Sequence, residues 1–227
     1  IITVEHLGDL GITTQNLPLV SDKDRQRLSA YILNEGDIVF SRVGSIDRTS
    51  IVTENEKGWL FSGRLLRVKI NSSKVIPLYL NFYFKSKSFV DRIKSVAVGQ
   101  TMPSLNTEIL KRTLITFPST LQEQRAIATA LSDVDALITS LDKLIEKKKM
   151  IKQGAMQELL TGKTRLDGFG KGVGYKQTEV GEIPEDWEVK FIEEICDVVG
   201  GGTPSTTVES FWNGSIDWFT PTEIGKE

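Results

Sequence analysis

The chain has 227 residues, 39% of them hydrophobic and 26% charged, and carries a formal net charge of −2, an ordinary balance for a globular protein. One cysteine, Cys196, and one histidine, His6, exclude an internal disulfide and a zinc ribbon or finger, which needs about four Cys or His ligands. The near-neutral total does not advertise nucleic-acid binding unless the charges are segregated; no apolar run reaches the roughly 20 residues that cross a bilayer, and the expected compartment is the cytoplasm with no membrane contact.

Ile1-Ile2-Thr3-Val4 reads as the middle of a strand, which points to a piece cut from within a domain. Residues 1–118 read as mixed α and β. Strands are expected at Asp37–Arg42 after the turn pair Glu35-Gly36, at Ser50–Thr53, at Trp59–Phe61 and at Leu65–Ile70. Pro77 suits a helix start, and helices follow over Leu78–Ser86, Ser88–Lys94 and Asn106–Lys111, with a last strand at Leu114–Phe117.

Residues 119–162 differ in kind. Thr120 and Glu123 have capping-box spacing, and no Gly or Pro follows until Gly154. Ile127, Leu131, Val134, Ile138, Leu141 and Ile145 step by 4, 3, 4, 3, 4, the heptad pattern of a coiled coil. A second row, Ala130, Leu137, Leu144 and Ile151, widens the stripe. At 1.5 Å per residue the helix is roughly 60 Å long and calls for a helical mate. Gly162 is its expected left-handed cap. Its last third is basic, which reads either as a solvated face or as a phosphate contact or docking surface.

Residues 163–180, with Gly168, Gly170, Gly172 and Gly174, read as a flexible linker. Residues 181–227 open a new α/β unit. Its expected elements are a strand start at Trp187–Val189, a short helix around Phe191–Cys196, a glycine-rich turn and an aromatic hairpin near Phe211–Thr220. Trp212 and Trp218 are expected in its core.

No catalytic constellation emerges. Gly162-Lys163-Thr164 ends like a phosphate-binding loop, but Gln157 stands where that loop needs glycine. Gly200-Gly201-Gly202 lacks dinucleotide-loop spacing. His6 has no Ser or Cys partner for a triad. No metal site and no cofactor is expected.

The order of segments carries more information. The helix opens with Leu121-Gln122-Glu123-Gln124-Arg125-Ala126-Ile127 and ends in Glu158-Leu159-Leu160-Thr161-Gly162-Lys163-Thr164-Arg165-Leu166. Upstream stand Gly36–Ser45 and Gly99-Gln100-Thr101-Met102-Pro103; downstream stand Gly181–Trp187 and Gly201–Ser205. This arrangement resembles the specificity subunits of type I restriction–modification systems. Asp47 occupies a place where that family often has glycine. The resemblance implies an α+β target recognition domain, a conserved spacer helix and the opening of a second recognition domain. It implies a non-catalytic subunit that reads one half of a split duplex DNA target per domain. Methyltransferase subunits clasp such a protein and restriction subunits can join. The other reading is a coiled-coil scaffold that binds only protein.

Trp218–Gly225 also resembles Ile1–Gly8, so the chain looks like one period of a two-period protein. Within one chain the long helix keeps the two end segments apart. An antiparallel homodimer, in which each copy completes the other's recognition domain, is therefore expected, with the stripe Ile127–Ile145 as its helix-pairing face. The DNA-contact candidates are Arg42, Ser45 and Arg48 about the Gly44 turn, Gln100 and Thr101 after Gly99, Lys111 as a phosphate contact, and Thr203 and Ser205 after three glycines. Arginine can pair bidentately with guanine, and glycine turns let backbone N–H groups approach phosphate.

Overall fold

The computed structural model describes residues 1–99 and 103–222. Its architecture is α+β, with two units, Ile1–Lys148 and Lys149–Glu227.

The first unit opens with a small antiparallel hairpin, β1 (Leu7–Gly8) with β2 (Gly11–Ile12), and a short helix α1 (Asp22–Arg27). The Ser21 hydroxyl caps α1 by accepting from the Asp24 N–H. A three-stranded antiparallel sheet follows, in the order β4 (Thr49–Ile51), β3 (Ile38–Ser41), β5 (Leu65–Val68). The central strand is buried on both faces, and its alternation builds two cores. Ile38 and Phe40 pack with Leu66, Leu80, Phe84, Phe89 and Ile93. Val39 points the other way, to Ile2, Leu7, Leu33, Val52 and Leu65. Three helices cover this region: α2 (Pro77–Lys85), α3 (Lys87–Val96) and α4 (Thr107–Arg112). Pro77 sits in the first turn of α2. Ser86 ends α2 and caps α3 through its hydroxyl. Asn106 caps α4, accepting from the Ile109 N–H at 2.8 Å.

Two expected strands fail, each for a visible reason. Trp59–Phe61 forms only single bridges, Leu60 to Ile32 and Phe61 to Ile2, between turns at Gly58 and Gly63. Ile1–Val4 forms no strand either: Ile2 makes that one bridge, and Val4 begins a 3-10 turn, Val4–His6. Leu114–Phe117 joins no ladder. Side chains satisfy its backbone instead: the Arg92 guanidinium donates to the Leu114 carbonyl, and the Thr116 N–H donates to the Tyr83 hydroxyl at 3.2 Å.

The long helix α5 runs unbroken over Leu121–Leu160. Thr120 caps it, accepting from the Glu123 N–H at 3.3 Å. Gln124 anchors its first turn from a fully buried position. The side-chain oxygen accepts from the Ile76 N–H at 2.9 Å, and the amide donates to the carbonyls of Lys74 and Pro118, both at 2.8 Å. Beyond Ala128 nothing on α5 is buried. The heptad stripe from Ile127 (36% exposed) to Ile145 (51%) faces solvent.

In the second unit the glycine-rich residues after α5 fold, in place of the expected flexible linker over 163–180. β6 (Tyr175–Thr178) pairs with β7 (Gly181–Pro184). Gly162 has φ +72°, and a Cβ there would come within 2.3 Å of Pro184 Cγ. Arg165 holds Asp186 bidentately at 2.8 and 2.9 Å and lies over the Trp187 ring, 5.5 Å from its centroid. The Tyr175 hydroxyl donates to the Gly162 carbonyl at 3.0 Å. Composition signals glycines; it does not signal that Gly162, Gly168, Gly170 and Gly172 adopt positive φ to make defined turns.

Past Trp187 the described chain holds two short 3-10 turns, Ile192–Glu194 and Glu209–Phe211, and no strand. The expected strand at Trp187–Val189 and the hairpin at Phe211–Thr220 do not form. The Trp212 and Trp218 rings meet edge to face at 5.2 Å but stay 40% and 43% exposed, so they clip a loop and fill no core. Val198, Val199, Ile216 and Phe219 are strongly exposed.

Candidate nucleic-acid interface

Arg42, Ser45 and Arg48 come together on one excursion between β3 and β4, and all three are exposed. Its stem is tied on both sides. The Ser41 N–H donates to the Arg48 carbonyl at 3.0 Å, and the Arg42 N–H to the Arg64 carbonyl at 2.8 Å. The Ser41 hydroxyl donates to the Ser45 carbonyl inside the turn. Gly44 has φ +77°, a conformation that L side chains resist, so it lets the chain reverse sharply. Ile46, by contrast, plugs into the core beneath. An exposed polar tip above a buried apolar peg is a rigid presentation of two guanidinium groups and a hydroxyl.

The two arginines do not form one clamp. Arg42 lines a hollow with Tyr31, Phe61 and Arg67. Arg48 lines another, about 440 Å³, with Asp9, Asp47, Thr49 and Lys85. Asp47 is bound by Lys94 of α3 at 2.7 Å, and that hydrogen bond holds its carboxyl below the usual carboxylate range. The carboxylate thus ties the turn to α3. Lys85 is pushed down by burial and donates to the Asp9 carbonyl. The hollow beside Arg48 therefore carries Lys85 as a second cation, which sequence reasoning missed because only the fold brings α2 to this turn.

Gln100 and Thr101 lie outside the described residues. Their flanks meet the same excursion: the Gly44 N–H donates to the Pro103 carbonyl at 3.0 Å, and Ser104 bridges both Val43 and Val98. The Leu105 N–H donates to the Arg42 carbonyl at 2.8 Å. Lys111 stands apart on α4, paired with Glu108 at 3.2 Å beside an apolar hollow. Thr203 and Ser205 belong to the second unit. There the Ser205 hydroxyl meets Thr207 Oγ1 at 2.8 Å, and the Ser205 carbonyl accepts from the Trp212 indole at 3.1 Å.

His6 is buried. Its Nδ1 accepts from the Thr3 N–H at 3.1 Å, so Nε2 carries the proton given to the Gln15 carbonyl at 3.1 Å. Both ring nitrogens are spent on local backbone. Among the described residues no helix is long and apolar enough to cross a membrane.

A family model described as the type I restriction modification DNA specificity domain matches residues 10–153, a stretch that contains the Arg42–Arg48 excursion and most of α5. The chain is 34% identical over 215 residues to a putative type I restriction enzyme MjaX specificity subunit of Methanocaldococcus jannaschii, covering 91% of this chain and 49% of that protein. It is 33% identical over 230 residues to the MjaVIII specificity subunit of the same organism, covering 96% and 50%. The chain spans about half the length of the curated relatives it matches. Among solved structures, the HsdS subunit from Thermoanaerobacter tengcongensis aligns with a TM-score of 0.49 at 16% identity, over 90% of this chain and 50% of that one.

Proposed function

The chain belongs to the type I restriction–modification DNA specificity domain family, and on that premise we propose that it is a non-catalytic reader of duplex DNA, working in the cytoplasm for methyltransferase subunits and, when they join, restriction subunits. The observation that carries the reading is the Arg42–Arg48 excursion. It presents Arg42, Ser45 and Arg48 to solvent from a stem fixed by backbone bonds and a buried Ile46 peg. Gln100 and Thr101, outside the described residues, stay DNA-contact candidates on their sequence alone.

The partner face we assign to α5. Its apolar stripe is half exposed along more than five turns, more than a lone helix in water retains without a mate. In the dimer proposed here, two copies bury these stripes against each other in antiparallel fashion. The net charge of −2 makes intrinsic DNA affinity low, so the methyltransferase supplies much of the grip.

The test is binding of labelled duplex containing the methylated site, mapped first by sequencing DNA modified by the reconstituted complex. Affinity should rise steeply when the methyltransferase is added and fall with salt. Arg48→Ala and Arg42→Ala should each cost about 1–3 kcal/mol if they read a base. Unchanged affinity and unchanged methylation sites in both variants would refute the DNA face, leaving the scaffold reading.

A further inference from the structure

Lys85 is a half-buried cation to which the fold gives no counter-ion. Its ammonium donates to the Asp9 carbonyl, and the Asp135 and Asp9 carboxylates attract it from a distance. Among the described residues no ion pair includes it. An ammonium drawn part of the way out of water gives up hydration that only an anion or further acceptors restore. The Arg48 guanidinium lines the same hollow. It is exposed, feels the Asp47 charge, and forms no hydrogen bond or ion pair among the described residues. A third polar group completes the lining: Thr49 is 3% exposed, and its hydroxyl has no hydrogen-bond partner among the described residues.

All three groups belong to the first unit, and bonds within that unit fix the walls around them. The Ser50 hydroxyl donates to the Gly8 carbonyl at 3.2 Å, tying the β1–β2 hairpin to β4. Asp47, held by Lys94 at 2.7 Å, fastens the turn to α3 and is neutralised there. The remaining charges are Arg48 and Lys85 against the exposed carboxylate of Asp9. The hollow, about 440 Å³, has room for a phosphate group and several waters. Two cations and a hydroxyl make a donor set suited to an oxyanion, whose hydrogen bonds to charged donors are the strong ones.

We propose that this hollow seats one phosphate of the DNA backbone, gripped jointly by Arg48 and Lys85 above the Thr49 hydroxyl. The inference rests on the DNA reading above and deepens it by giving the two arginines of the excursion different work. Arg48 takes the phosphate and sets the register of the turn on the duplex. Arg42, which lines a separate hollow, is left for the base edges. Phosphate contacts position a protein and carry no sequence information of their own, whereas contacts to base edges specify. Lys85 is then a second phosphate contact, and its half-buried setting strengthens its pull on the anion because the local dielectric is low.

The test is a neutral-linkage scan of the labelled duplex, bound by the full-length chain together with its methyltransferase. A methylphosphonate replaces one backbone phosphate at a time. The parent should lose about tenfold in affinity at one linkage, the scale of a hydrogen bond to a charged group. That loss should vanish in Lys85→Met and equally in Arg48→Gln, because both cations hold the same phosphate. Lys85→Arg, which keeps the charge, should retain it. The double variant should lower the slope of log affinity against log salt by about 0.9, the share of one phosphate, and leave the methylated sites unchanged. Arg48 is exposed, so Arg48→Gln gives the answer even where Lys85→Met fails to fold. The absence of such a linkage, a linkage whose cost survives Arg48→Gln, a slope lowered by twice the expected amount, or shifted methylation sites would each overturn the shared phosphate seat. If Arg42→Ala still weakens binding in that event, the DNA reading stands without the seat. If no variant of the excursion changes binding, the reading itself falls.

Discussion

Gln124 is where the long helix is fastened to the recognition lobe, and its removal has a size that the structure sets. The side chain is fully buried and makes three hydrogen bonds to backbone groups of Ile76, Lys74 and Pro118. Gln124→Ala deletes all three. The abandoned backbone groups belong to half-buried or exposed residues, so water recovers part of the loss. About 1 kcal/mol for each bond gives roughly 3 kcal/mol in total. For a unit of this size that is a fall in Tm of about 10 °C. Gln124→Glu sharpens the argument, because it keeps the shape and the accepting oxygen but sets a carboxylate against two carbonyl oxygens. Folding then raises that carboxyl's pKa, so the penalty is full at neutral pH and shrinks as pH falls toward the free glutamate value of about 4.3. The assay is thermal unfolding of the whole chain between pH 4 and 8, followed by circular dichroism. A loss under about 1 kcal/mol for the alanine variant, or a Gln124→Glu penalty independent of pH, would refute the anchoring role.

Four further outcomes follow from the geometry. Gly162→Ala should cost about 1–2 kcal/mol for its left-handed backbone plus the collision with Pro184, and should speed hydrogen exchange across β6 and β7. Gly154→Ala, in mid-helix with open space at its Cβ, should instead stabilise by about 1 kcal/mol. The Asp47–Lys94 pair has a lowered carboxyl and a raised ammonium. Its contribution is present above the free Asp value of about 3.9 and is lost as pH falls through the lowered value; it is lost again as pH rises through the raised Lys94 value. Unfolding of Asp47→Ala beside the parent should show a gap that is flat near neutrality and closes at both extremes; a gap unchanged at acid pH would contradict the pairing. Leu131→Asp with Ile138→Asp should leave helix content intact and weaken the dimer by roughly a hundredfold or more, since each buried aliphatic side chain contributes about 1.5–3 kcal/mol and every 1.4 kcal/mol is about tenfold. Undiminished dimerisation by sedimentation would show that this stripe is not the pairing face.

What the sequence disclosed, and what it withheld, divides along one physical line. Local rules were legible. Pro77 opens α2, Asn106 caps α4, Thr120 caps α5 and Gly162 closes it with a positive φ, because each depends on a residue's own backbone preference and its neighbours within a turn. The core strand 38–41 was legible because its apolar run is continuous. What remained hidden depends on groups remote in sequence. Leu114–Phe117 has the composition of a strand, but Arg92 and Tyr83 take its backbone. Residues 163–180 have the composition of a linker, but Arg165 reaches Asp186 across 21 positions and makes a folded knob. Gln124 was read only as part of a sequence resemblance, and its buried amide could not be inferred from spacing. The excursion at Arg42–Arg48 was recognisable by its glycine and arginines, whereas Lys85 and Lys94, which set its electrostatics, arrive from α2 and α3.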